Sequence, residues 1–255
     1  MIEIIPAIDI IGGKCTRLSQ GDYATQKDYG GDPAEWARAY ADCGARRLHL
    51  VDLEGAKASA PQNLRTLERI ASLGLLRLEW GGGIKDDDAL VSVWNAGADD
   101  AIIGSIAARE PELMLRWLAV WGSRIILGAD VRDGKVAVSG WLEDSGVELD
   151  TLIEQFLPAG LERAIVTDIS RDGMLQGPSF DLYAGLQERF PALKTIVSGG
   201  VSCLDDIRKA DEMGLPGIVV GKSIYENRIT LKDLALCLTP ASRATHCLQE
   251  SGWCP

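Results

Sequence analysis

Short runs of Ile, Val and Leu, bounded by Gly or Asp, alternate along the chain with longer segments whose apolar residues recur at helical spacing. A continuous apolar run reads as a strand buried on both faces, and its alternation with amphipathic helices reads as repeated βαβ units around a parallel sheet. The pattern predicts strands over residues 2–8, 47–52, 76–80, 100–103, 124–129, 163–167, 194–198 and 217–220. Eight strands are enough to close a barrel. Between them, Asp32-Pro33-Ala34-Glu35 predicts an N-cap followed by proline at the first helical position, and Gly44 stops that helix. Asp86-Asp87-Asp88 places negative charge on the first turn of another helix, which Gly97 ends. Two connections, from Asp9 to about Gly31 and from Val131 to about Val147, exceed what a βα turn needs and are expected to be long loops that act as lids.

The pattern also repeats. Gly82, Gly83, Gly97 and Gly104 recur 117 positions later as Gly199, Gly200, Gly214 and Gly221. The strand ending in Asp9 is matched by one ending in Asp130, and the strand ending in Asp52 by one ending in Asp168. Two copies of a four-strand unit point to a (β/α)8 or TIM barrel built from two similar half-barrels, and to a ligand with two similar ends. The length of 255 residues suits one such barrel, expected over 1–238, with a tail over 239–255 of unassigned role.

A net charge of −11 disfavours a nucleic-acid or anionic-membrane surface, although backbone dipoles can still bind a small phosphorylated ligand. No run of 18 apolar residues and no leader-like opening occurs, so no membrane partner is expected, the expected location is the cytoplasm, and the surface suits a monomer. Six cysteines without CxxC spacing and two histidines give no expectation of a metal centre, and the cysteines read as reduced thiols.

In such a barrel the chemistry sits at the C-terminal ends of the strands. Asp9 and Asp130 end strands one and five, opposite each other in a ring of eight, so a small substrate between them meets a carboxyl group on each side, the arrangement for a general acid and a general base. Thr167 ends the strand beside Asp130 and is placed to orient it or to bond a substrate hydroxyl. Gly82-Gly83, Gly104-Ser105, Gly199-Gly200 and Gly221-Lys222 follow strands three, four, seven and eight, where glycine lets backbone N–H groups approach an anion. They predict two phosphate grips across the mouth. Arg17 and Lys85 are candidates to hold a phosphate or carboxamide, Trp141 to stack on a heterocycle, and Asp172 to contact substrate. His49 reads as an interior histidine, and Asp52 and Asp168 as hydrogen-bond acceptors near the rim.

Ile5-Pro6-Ala7-Ile8-Asp9, Arg17-Leu18-Ser19-Gln20-Gly21-Asp22-Tyr23, His49-Leu50-Val51-Asp52, Val138-Ser139-Gly140-Trp141 and Thr167-Asp168-Ile169-Ser170-Arg171-Asp172-Gly173 closely resemble the phosphoribosylformimino-5-aminoimidazole carboxamide ribotide isomerases of histidine biosynthesis, from Met1 to Leu238. The resemblance implies an intramolecular oxidoreductase-type isomerase without metal or organic cofactor. It implies a small bis-phosphorylated ribotide substrate and an Amadori rearrangement of the aminoaldose ProFAR to the aminoketose PRFAR. Carried over by motif, Asp9 is the base, Asp130 the acid and Thr167 its assistant. The chain departs at Lys85, where arginine usually follows the glycines. The sibling cyclase of the pathway, an isomerase that also accepts phosphoribosyl anthranilate, and a non-catalytic phosphate-binding barrel are the alternative readings.

Overall fold

The computed structural model describes residues 2–19, 22–138, 141 and 143–238; the tail over 239–255, Ser139 and Gly140 lie outside them. Twelve strands run in chain order: β1 (Glu3–Ile11), β2 (Lys14–Ser19), β3 (Asp22–Asp28), β4 (Arg47–Asp52), β5 (Arg77–Gly81), β6 (Asp100–Ile103), β7 (Ile125–Arg132), β8 (Lys135–Val138), β9 (Glu143–Glu148), β10 (Arg163–Asp168), β11 (Lys194–Ser198) and β12 (Gly217–Val220). Eight of them, in the order β1-β4-β5-β6-β7-β10-β11-β12, pair in parallel and close on β1, giving the barrel that the pattern predicted. Helices follow the strands and cover the outside. Asp32 caps its helix by accepting from the Ala34 N–H, and Asp86 caps the next predicted one from Ala89 N–H.

The two long connections are not loops. Each is an antiparallel hairpin continuing a barrel strand past the rim: β2 pairs with β1 and β3, and β8 pairs with β7 and β9. The reason is turn chemistry. Gly12-Gly13 and Asp133-Gly134 all have positive φ, which two-residue hairpin turns require, and β1 and β7 therefore run on to Ile11 and Arg132.

Inside the barrel the two halves differ. Ile5, Ala7, Ile126, Ile165, Ile196 and Val219 form a compact apolar cluster. At the N-terminal end of the strands, Asp100 is fully buried and accepts from Arg47 Nη1 at 2.7 Å, Arg77 Nε at 2.7 Å and Arg163 Nη2 at 2.8 Å. Cys15 and Cys43 are free thiols, as expected, but Cys203 is disulfide-bonded, against that expectation. No helix among the described residues is long and apolar enough to cross a membrane.

Candidate active site

A cavity of about 230 Å³ opens at the C-terminal ends of the barrel strands. It is built by strand ends whose inward side chains alternate with outward apolar ones, so each strand contributes one or two polar groups at a fixed height. Asp9 on β1 and Asp130 on β7 face it from opposite sides, Asp9 buried and Asp130 half-buried. Thr167 is the register partner of Asp130. The structure brings every other predicted residue to the same wall: Arg17, Trp141 and Asp172, then Gly82, Gly83, Gly104 and Ser105 on one side and Gly199, Gly200, Gly221 and Lys222 on the other.

The electrostatics are specific. Arg17 Nη1 donates to Asp9 Oδ2 at 2.8 Å, and Nη2 lies 4.0 Å from Asp172. Arg17 Nε is buried without a hydrogen-bond partner. Burial pushes the Asp130 carboxyl above the usual carboxylate range, against the hydrogen bonds from Trp141 and Thr167. Trp141, expected to stack, thus has its indole tied to the carboxyl. Burial pushes Asp172 up as well; Arg17 opposes this, while the Asp9 and Asp130 charges add to it. Lys85, at the cavity wall, is pushed down by burial and by the neighbouring Arg109 charge.

The glycines divide into two kinds. Gly82, Gly83, Gly199 and Gly200 all have positive φ, and a Cβ on Gly83 would meet the Ala60 carbonyl carbon at 2.5 Å, as one on Gly200 would meet the Gly177 oxygen at 2.5 Å. Close backbone packing demands glycine there. Gly104 and Gly221 have negative φ and precede short helices over Ser105–Arg109 and Lys222–Tyr225, and the Arg17 guanidinium lies against Gly221.

Asp52 accepts from the Gly55, Gln62 and Asn63 N–H groups, and Asp168 from Ser170 and Ser179. Both tie βα turns. Tyr23 on β3 lines the cavity and donates to the Leu53 carbonyl at 2.6 Å, docking the first hairpin on the rim. His49 also lines the cavity, with Nδ1 2.9 Å from Glu79 Oε1. Glu79 escaped the sequence reading, although a carboxylate inside the run Leu78-Glu79-Trp80 was a visible signal.

Fold and cavity together define a (β/α)8 barrel of the enzyme type, with carboxyl groups opposed across a mouth flanked by two symmetry-related glycine loops. The chain belongs to the family described as histidine biosynthesis protein, whose model matches residues 3–230. It is 51% identical over 239 residues to the 1-(5-phosphoribosyl)-5-((5-phosphoribosylamino)methylideneamino) imidazole-4-carboxamide isomerase of Bacteroides thetaiotaomicron, covering 93% of this chain and 100% of that protein. Proteins of the same description from Cytophaga hutchinsonii and Parabacteroides distasonis are 49% and 50% identical, each over 92% of this chain and 98% of the relative.

Proposed function

We propose that this chain catalyses the isomerisation for which its relatives are named, an Amadori rearrangement of a bis-phosphorylated aminoaldose to its aminoketose in histidine biosynthesis. The observation that carries the reading is the opposed Asp9–Asp130 pair at the cavity of a chain 51% identical to such an isomerase. Asp130, whose carboxyl burial holds in the protonated form above the usual range, gives its proton to the ribose ring oxygen as the C1′–O bond breaks and the amino nitrogen forms a C=N bond to C1′. Asp9 takes the proton from C2′. The resulting enolamine then gains a proton at C1′ and loses one from the C2′ hydroxyl, leaving the ketone. Thr167 and Trp141 hold Asp130 in place.

Gly104-Ser105 with Lys85 forms one phosphate grip, and Gly221-Lys222 with Arg17 the other. The unpartnered Arg17 Nε and the mutual repulsion of Lys85 and Arg109 both support an anion at these ends. Gripping both ends fixes the sugar between the carboxyls and converts remote binding energy into rate. Asp172 is a second proton carrier in reach of Arg17, and its raised carboxyl supports an acid role shared with Asp130. The barrel acts as one domain and as a monomer, in the cytoplasm.

The test is conversion of the aminoaldose by the purified native chain and by Asp9→Asn, Asp130→Asn and Asp172→Asn, with the product separated by chromatography because its mass is unchanged. Native turnover is expected, with kcat lowered roughly 10²-fold or more in the Asp9 and Asp130 variants and binding retained. Tight binding without turnover by the native chain would defeat the enzyme reading.

A further inference from the structure

The internal repeat is broken inside the barrel at one level. His49 on β4 and Glu79 on β5 are register partners; the positions 116 and 117 residues later are Ile165 on β10 and Ile196 on β11, again register partners. In the second half that pair packs into the apolar cluster with Ile5, Ile126 and Val219. In the first half the same level holds a carboxyl side chain with no exposed surface and an imidazole side chain 11% exposed. A buried ionisable pair seldom stabilises a fold more than an apolar pair of similar volume, and this chain itself shows that the apolar pair fits. Stability does not account for His49 and Glu79.

Their geometry suggests what does. Glu79 Oε1 lies 2.9 Å from His49 Nδ1, while Glu79 Oε2 lies 3.4 Å from Arg47 Nη1, which also donates to Asp100 at 2.7 Å. The glutamate is therefore anchored from below, and an anchored acceptor on one ring nitrogen decides which nitrogen carries the proton. The register pairs His49 with Ala7, one level beneath Asp9 and Val51, and the ring lines the cavity there. Among the described residues its second nitrogen has no hydrogen-bond partner.

We propose that Glu79 and His49 work as a pair in the rearrangement: Glu79 fixes the imidazole with its proton on Nδ1, and Nε2 accepts a hydrogen bond from the C2′ hydroxyl of the sugar. This rests on the function proposed above. The C2′ hydroxyl gives up its proton as the ketone forms, so an acceptor at that point binds more strongly as the reaction proceeds. His49 touches the substrate; Glu79 is a positioning residue that acts through it.

The experiment combines Glu79→Gln, Glu79→Ile and the double variant His49→Ile/Glu79→Ile, which installs the second half's own pair. With only two histidines in the chain, ¹⁵N NMR assigns the ring nitrogens by loss of one set in the double variant. The native ring is expected to be protonated on Nδ1, and its Nε2 signal to move when the aminoaldose is added to Asp9→Asn protein. The double variant is expected to melt no lower than the native chain, with kcat down about tenfold or more and KM within about threefold. Glu79→Gln keeps an acceptor oxygen for Nδ1–H and is expected to recover most of the rate that Glu79→Ile loses. Turnover of the double variant within twofold of native, or a ring protonated on Nε2, would overturn the pair while leaving the isomerase reading intact. A native chain that does not turn over defeats that reading instead, and the nitrogen spectrum still decides the pair. If the double variant does not fold, the tautomer and the Gln-against-Ile comparison carry the decision.

Discussion

Asp130 is held by two donors, Trp141 and Thr167, yet burial outweighs them and its carboxyl sits above the ordinary value of 3.8. A carboxyl raised in the folded state contributes stability that is fully present below its unfolded value and lost as pH rises through the folded one. At neutral pH the group therefore costs stability, as a residue poised for proton transfer is expected to do. Asp130→Asn is predicted to melt above the native chain at pH 7, with the gap closing toward pH 4, while its activity is lost. Scanning calorimetry at the two pH values checks this; a variant that melts lower at pH 7 would mean that the carboxylate is structural. Asp9 and Asp130 were legible because the repeat marks them at matching strand ends, and Thr167 and Asp172 because they lie at the end of the next strand and in the loop that follows it. Glu79 was not, because strand periodicity cannot tell an inward carboxylate from an apolar neighbour when both faces are buried.

At the scale of elements, the sequence presents the glycine clusters as anion contacts, and the structure gives four of those glycines, Gly82, Gly83, Gly199 and Gly200, a prior steric reason. Gly83→Ala and Gly200→Ala place a Cβ 2.5 Å from backbone atoms at positive φ, whereas at Gly74, also at positive φ, the added Cβ meets nothing within 4 Å. Gly74→Ala is predicted to cost about 1 kcal/mol, the conformational penalty alone. Gly83→Ala and Gly200→Ala are predicted to cost at least about 3 kcal/mol, because rigid backbone on both sides must move. Urea midpoints of the three variants decide it; equal costs would mean that the loops after β5 and β11 are pliable. The hairpins teach the converse. Asp133-Gly134 and Gly12-Gly13 were hairpin turns in plain view, but the returning strands β3 and β9, Asp22–Asp28 and Glu143–Glu148, lack the apolar alternation that marks a half-buried strand. Length alone suggested lids, and the pairing of β1 and β7 beyond the rim supplied the regular structure.

Over the whole molecule, the eight barrel strands were legible because parallel strands buried on both faces are written as unbroken apolar runs, and four of the eight carry the predicted bounds. The charged end of the barrel was not, since only closure brings Arg47, Arg77 and Arg163 onto one carboxylate. Closure also gives the two ends opposite proton linkage. Burial would push Asp100 up, but the hydrogen bonds from Arg77 and Arg163 bring it below its ordinary value of 3.8. Its stabilisation is therefore present above that value and lost as pH falls through the folded one. Asp100→Asn leaves three guanidinium groups without their carboxylate and is predicted to cost about 3 kcal/mol or more at pH 7, and less in acid. Melting curves of Asp130→Asn and Asp100→Asn against pH are thus expected to depart from the native curve in opposite directions and to converge on it in acid. Departures of the same sign would refute the assignment of chemistry to one end of the barrel and stability to the other.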